Sequence, residues 1–333
     1  MASRNLVLAG DIGGTKTNLA LFSVRGDKLH SESFRTFPSK RYSGLVPVLQ
    51  EFLAGDHPKV DAACFGIAGP VVDGKVKTPN LPWMIDTAEL RRAVKFDAVW
   101  LLNDLEAAAY GLFTLENDEF CGLNGGTMRQ SGNKALIAAG TGLGQTTLYD
   151  DGHHFHPLAS EGGHGDFAPR NELEIELLRY LIDRFQHVSY ERVVSGPGLF
   201  NIYRFLKESR GLAEPRWLTE RLAASDDVSA VVSQAALAGE GEICVKSLDL
   251  FVSVYGAEAG NLALRAKSVR GLYIGGGIAP KILAKLKDGA FMRAFVDKGR
   301  YADLLAAIPV QVVLNDQAAL RGAGYYAAFI ARD

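Results

Sequence analysis

The sequence predicts an α/β protein of two lobes that share one folding pattern. Short apolar runs of strand type alternate with longer stretches of helical periodicity. A strand, glycine turn and strand near the start, Leu6 to Val24, is echoed at Ala135 to Tyr149. The length of 333 residues exceeds one simple core and suits two domains of ordinary size.

Leu6 to Ala9 and Asn18 to Val24 are the first two strands, and a third follows the loop Arg25 to Leu29. Ser43 to Leu53 is amphipathic and helical. Ala62 to Ala68 is a buried strand closed by Gly69 and Pro70. Thr87 to Ala93 is a helix with a threonine cap, Val99 to Leu102 a strand, and Asp104 to Leu112 a helix. The second half repeats the opening, with strands Ala135 to Ala139, Gln145 to Tyr149 and His153 to Pro157. Helices follow at Glu172 to Phe185, Gly198 to Glu208, Val228 to Ala238 and Glu240 to Ala266. The chain closes with strand Gly271 to Ile274, strand Val310 to Val313 and helix Gln317 to Ile330. Residue identity between the halves is too low to define a sequence repeat.

Basic and acidic residues, 36 and 38, are interspersed for a formal charge of -2, which argues against nucleic acid as a partner. No apolar run approaches the roughly 18 residues of a membrane span. The first strand begins almost at once, so neither a signal peptide nor an amino-terminal DNA-binding domain is expected, and a cytoplasmic location is. Cys64, Cys121 and Cys244 lack the close spacing of zinc sites and are expected as reduced thiols.

Gly10 to Thr17, GDIGGTKT, is the first candidate site. Gly13 and Gly14 can set successive backbone N–H groups on one concave face and let a phosphate approach closely. Thr15 and Thr17 add hydroxyls, and Asp11 at the strand end suits a hydrated magnesium ion. An ordinary hairpin is the plain alternative. The segment narrowly misses a P-loop: Thr15 stands where glycine is required, and a strand follows in place of a helix. Ala139 to Gly144 repeats the chemistry with Gly140, Thr141 and Gly142. Gly275, Gly276 and Gly277 end a strand before a helix, suiting a nucleoside.

Asn103 and Asp104 end a strand where the next helix starts, an edge at which α/β sheets bind ligands. Asp104 is either a helix cap or a catalytic base that accepts a hydroxyl proton. Glu161 and His164 lie three apart, but Gly162 and Gly163 argue against the helix an E-x-x-H metal site needs; on a loop they can hold sugar hydroxyls. Glu191 precedes a tight turn and Asn80 lies in a Pro-flanked loop, while Trp83 is expected to pack. His153, His154 and His156 belong to a hairpin strand in preference to a metal site. A pocket of Asp104, Glu161 and Glu191 repels phosphorylated sugars and accepts a neutral polyol.

In order, GDIGGTKT, FGIAGPV, TPNLPW, LLNDLEAAAYG, AAGTGLGQ, SEGGHGDFAP, YERVVSGPGL and YIGGGIAP closely resemble the bacterial glucokinases, from about Leu8 to Tyr326. The resemblance implies two lobes of duplicated ribonuclease H-like (actin-like ATPase) fold with an interlobe cleft. The small lobe is expected at 1–104 plus about 313–333 and the large one at 105–312. It implies ATP-dependent phosphorylation of the glucose 6-hydroxyl, with Asp104 as base. Asn103, Glu161, His164 and Glu191 then correspond to the sugar ligands. Asp11, Gly13, Gly14, Thr15 and Thr141 correspond to the phosphate and magnesium region, and Gly275 to Gly277 lie near adenosine. Gly10, Ile12, Thr17, Gly140 and Gly142 complete the expected ATP site, and Asn80 the sugar site. A homodimer binding glucose and Mg-ATP is implied. The zinc cysteine cluster of a related branch of repressors and sugar kinases has no counterpart here. A sugar-sensing regulator of that branch is the alternative function; an actin-like filament has no use for Glu161, His164 and Glu191 together.

Overall fold

In the computed structural model, which describes residues 5–55 and 59–331, β1 (Leu6–Ile12) pairs antiparallel with β2 (Lys16–Arg25) around the first glycine turn. β3 (Lys28–Pro38) extends the meander. After helix α1 (Leu45–Phe52), β4 (Ala62–Ile67) returns parallel to β1. A small hairpin of β5 (Lys75–Lys77) and β6 (Met84–Asp86), then α2 (Thr87–Val94), lead to β7 (Ala98–Asn103), parallel to β4, and to α3 (Asp104–Gly111). The sheet order is β3-β2-β1-β4-β7.

The two-residue period of β1 buries both faces of this sheet. Leu8 and Ile12 pack with Val48 and Leu49 of α1 and Leu90 of α2. Val7 and Ala9 face the other way, packing with Ala107 and Tyr110 of α3 and with Leu320 and Ala323. The last two belong to the C-terminal helix (Ala318–Tyr325), whose end widens to π-type hydrogen bonding through Ile330. That helix meets α3 backbone to backbone: a Cβ on Gly322 would lie 1.8 Å from the Ala107 carbonyl oxygen.

The second sheet repeats the plan. β8 (Phe120–Gly122) is an added edge, and β9 (Lys134–Ala139), β10 (Leu143–Asp150) and β11 (Phe155–Leu158) form the meander. Five helices follow: α4 (Glu172–Phe185), α5 (Gly196–Glu208), α6 (Arg216–Ala223), α7 (Val228–Leu237) and α8 (Glu242–Ala266). β12 (Leu272–Gly275) then runs parallel to β9. Short helices α9 (Leu283–Leu286), α10 (Ala290–Val296) and α11 (Ala302–Ala306) precede β13 (Val310–Val313), parallel to β12. The order β11-β10-β9-β12-β13-β8 matches the first sheet strand for strand once β8 is set aside. α8 is the spine of this core, with Phe251, Tyr255 and Ala259 fully buried.

The chain divides into two units, one within Met1–Glu119 and Asn315–Asp333, the other Phe120–Leu314. The expected limits at 104 and 312 put α3 in the second lobe, whereas its Ala107 and Tyr110 pack into a core of the first unit. The expected helix from Glu240 starts at Glu242, because Gly239 and Gly241, at φ +71° and +72°, turn the chain between α7 and α8. His153 and His154 sit in the turn before β11, their amides held by Asp151 Oδ1. Among the described residues no single helix is long and apolar enough to cross a membrane.

Candidate active site

Parallel pairing sets the ends of β1, β4 and β7 level: Ile12 is opposite Ile67, and Ile67 opposite Asn103. One sheet edge thereby receives the first glycine turn, Gly69, and the Asn103-Asp104 pair. Asn103 is the helix cap. Its Oδ1 accepts from Leu105 N at 3.0 Å, and Glu106 Oε2 accepts from Asn103 N at 3.0 Å, a complete capping box. Its Nδ2 donates to Gly69 O at 3.2 Å, tying two strand ends together. With the cap supplied by its neighbour, Asp104 occupies the first helical position, its carboxylate exposed and one oxygen 2.9 Å from Leu105 N.

At the first turn, Gly13 N donates to Lys16 O at 2.9 Å, leaving the Gly14 and Thr15 amides at the tip. A Cβ on Gly14 would come within 2.7 Å of Asn80 Cβ, so the exposed Asn80 loop lies against this turn. Burial lifts Asp11 to a pKa of about 6, opposed by a 3.4 Å hydrogen bond from Asn18 and reinforced by the charges of Asp104 and Asp316. Asp316 is absent from the sequence-derived site. Its signal was present: Leu314-Asn315-Asp316 follows β13 as Leu102-Asn103-Asp104 ends β7 and opens α3. Magnesium favours hard oxygen ligands and keeps several waters, using one or two carboxylates beside the phosphates. Asp11 fits that demand, and no closed cage of three or more His, Cys, Asp or Glu exists among the described residues.

Three expected ATP contacts are corrected. Thr17 is fully buried because the alternation of β2 turns it inward; its hydroxyl lies 3.0 Å from Ser39 Oγ, which donates to Gly13 O at 2.8 Å. Thr17 braces the turn from beneath. Gly10 lies inside β1 between two partner strands, its Cβ position 2.5 Å from the Phe65 ring, and serves packing. The Ile12 side chain is in the core, so only its backbone can reach a ligand.

The second unit brings the other candidates together. Gly162–His164 forms a single 3-10 turn, with Glu161 before it and His164 at its end, both exposed. His164 Nε2 is 4.0 Å from Glu191 Oε1, and Glu191 Oε2 accepts from Leu143 N at 2.9 Å, directly after the second glycine turn. Gly163 seats the 3-10 turn on that same segment: a Cβ there would lie 1.8 Å from Leu143 O. Ser195 caps α5 through Gly198 N at 3.0 Å and donates to Glu191 O at 2.7 Å, fixing the Glu191 turn. Two carboxylates and an imidazole so arranged can sort the hydroxyls of a neutral polyol.

The second and third glycine turns touch, Ile278 N donating to Ala139 O at 3.3 Å. Thr141, Gly276 and Gly277 are exposed. Gly276 has a structural reason to be glycine, with φ +81° and a Cβ position 2.3 Å from Ala139 O. Gly140 and Gly277 have none within the protein, since a Cβ on either would meet nothing within 4 Å. Asn80, Asn103 and Asp104 thus stand in the first unit with Asp11, and Glu161, His164 and Glu191 in the second with Gly140 and Gly275 to Gly277.

A family model described as Glucokinase matches residues 8–329. A glucokinase of Nostoc sp. is 44% identical over 340 residues, covering 97% of this chain and 99% of that protein. The crystal structure of a glucokinase from an Antarctic psychrotroph matches with TM-score 0.85 and 31% identity, over 96% of this chain and 98% of that one. A ROK family glucokinase from Streptomyces griseus, solved with glucose and AMPPNP, shares the fold at TM-score 0.65 and 21% identity, over 97% and 99% of the two chains.

Proposed function

The chain belongs to the glucokinase family, and on that premise we infer that it transfers the γ-phosphoryl group of ATP to the 6-hydroxyl of glucose. Asp104 is the general base. The observation that carries this role is the placement of Asp104: Asn103 forms the capping box, and the exposed Asp104 carboxylate stands at the first helical position, on the sheet edge that also receives the first glycine turn. As the sugar O6 bonds to the γ-phosphorus, the bond from that phosphorus to the ADP oxygen breaks and the O6 proton passes to Asp104. A loose transition state asks for little deprotonation in advance, so an ordinary carboxylate is a sufficient acceptor.

Glu161, His164 and Glu191, with Asn80 and Asn103, orient the sugar hydroxyls. The amides of Gly14 and Thr15, at the tip of the turn that the Gly13 N–H closes on Lys16 O, and the turn at Gly140 to Gly142 with the Thr141 hydroxyl, hold phosphates; Gly275 to Gly277 lie against the nucleoside. Asp11 would hold magnesium, and the bound ion would screen charge on the phosphate oxygens. A cytoplasmic homodimer completes the proposal, supported by the resemblance of the motifs.

A coupled assay with Mg-ATP and a sugar panel tests the activity, and absence of glucose-dependent ADP release overturns it. For the base, Asp104→Asn is expected to lower kcat by about 10²-fold or more while glucose binding measured by calorimetry changes little. Near-normal turnover removes Asp104 from that role.

A further inference from the structure

Glu258 of α8 is fully buried, and a carboxylate so placed persists only when its charge is answered. Gln145 Nε2 and Arg265 both donate to its Oε1, at 2.9 and 2.5 Å, and Asn261 Nδ2 donates to its Oε2 at 2.8 Å. Arg265 also donates to Gln145 Oε1 at 3.0 Å, so the Gln145 amide is gripped at both ends.

The two amides around Glu258 lead to different turns. Gln145 lies under the Glu161–His164 turn: a Cβ on Gly162 would come within 3.0 Å of Gln145 Oε1. Asn261 Nδ2 also donates to Tyr190 Oη at 3.0 Å, and Tyr190 immediately precedes Glu191. Tyr190 N donates to Gly165 O at 2.9 Å, and its ring packs edge-on against Phe167, 5.6 Å between centroids. One buried carboxylate thus grips the supports of both turns, whose exposed His164 and half-buried Glu191 approach to 4.0 Å.

We propose that Glu258 is a positioning residue for the hexose site, fixing through Gln145 and through Asn261–Tyr190 the spacing between the Glu161–His164 turn and Glu191. The proposal rests on the assignment of those three residues to the sugar. It places the control of sugar affinity in a group that touches no substrate.

Glu258→Gln tests it with little change of shape. Both carboxylate oxygens accept from N–H donors, so the new NH₂ faces a donor whichever way it is turned, and at least one link is lost. The expected result is a rise of about tenfold in the KM for glucose, with kcat within about threefold and the KM for ATP within twofold of the parent. Tyr190→Phe removes the hydroxyl that takes the Asn261 link and a backbone hydrogen bond from Ala168, keeps the ring packing, and is expected to raise the glucose dissociation constant about threefold. A lowered melting temperature with the glucose KM unchanged, or equal losses for glucose and ATP, would overturn the proposal by making Glu258 a general core residue. Should Glu258→Gln fail to fold, an unchanged glucose affinity in Tyr190→Phe overturns it alone. His164→Ala and Glu161→Gln in the same series separate the premise: if they too leave the glucose KM unmoved, the hexose assignment fails; if they raise it while Glu258→Gln and Tyr190→Phe do not, only the positioning role fails.

Discussion

Gly163→Ala probes the sugar turn through a single methyl group. Its Cβ would lie 1.8 Å from the Leu143 carbonyl oxygen, and approaches under 3.0 Å are essentially never seen. The turn or the strand must therefore move by at least about 1.2 Å in a close-packed interior. Either movement separates groups that now meet: Leu143 N holds Glu191 at 2.9 Å, and the turn carries Glu161 and His164. A misplacement of about 1 Å costs about 10²-fold in rate, and overpacking costs about 1–3 kcal/mol of stability. Saturation kinetics with glucose, beside a thermal melt, should show kcat/KM for glucose down about 10²-fold in protein that is still folded. Gly165→Ala is the control on the same turn. Its φ of -61° suits any residue, and its Cβ would sit 3.2 Å from Gly162 O, so kcat/KM is expected within about threefold of the parent. A Gly163→Ala enzyme as active as that control would show that the turn is not seated on Leu143.

Gly277→Ala is expected to raise the KM for ATP severalfold without lowering the melting temperature, because a Cβ there meets no protein atom within 4 Å. An unchanged KM would remove the third turn from the nucleotide site. Thr17→Val should do the opposite, costing about 1 kcal/mol through the lost Ser39 contact while the KM for ATP stays put; a large change in that KM would restore Thr17 as a ligand. Asp11, raised to about 6 by burial, should make magnesium activation weaken as pH falls through 6, approaching tenfold per pH unit, and Asp11→Asn should abolish that dependence. Its stability effect has the reverse sign. A carboxyl with a folded pKa above its unfolded one binds more protons when folded, so stability of the ligand-free enzyme falls as pH rises from about 4 through 6. Denaturant titration across that window, comparing Asp11→Asn with the parent, checks it.

Long apolar periodicity made the meanders, α4, α5 and α8 legible in the sequence; a strand end pointed to Asp104, a glycine loop to Glu161 and His164, and a tight turn to Glu191. The elements left unread are short: three-residue strands β5, β6 and β8, the eight-residue helix α6, and helices of four to seven residues, α9 to α11, hold too few turns for a period to show. Thr17 was misread for a different reason. A hydroxyl beside a glycine turn looks the same in sequence whether the strand alternation points it at a ligand or at Ser39, and only the register with β1, Ile12 opposite Thr17, settles its face. Glu258 was invisible because nothing local marks a carboxylate in an apolar helix as buried; its partners come from positions as distant as Gln145.

The repeated sheet explains how one turn design serves different chemistry. In both units a hairpin turn ends the central strand, β1 or β9, and parallel strands bring further loops to the same edge. What differs is where each turn spends its hydrogen bonds. Both close on themselves, Gly13 N donating to Lys16 O and Gly140 N to Gly142 O; the first rests on Ser39, and on the proposed assignment its tip and Asp11 serve phosphate and cation. After the second, Leu143 N goes to a side chain from elsewhere in the fold, Glu191, and Leu143 O seats Gly163. On the proposed assignment, the second turn is then also the floor of the hexose site. Substitutions at Gly163 or Glu191 should for that reason disturb the sugar and the nearby phosphate contacts together, whereas those at Gly277 should report on the nucleotide alone.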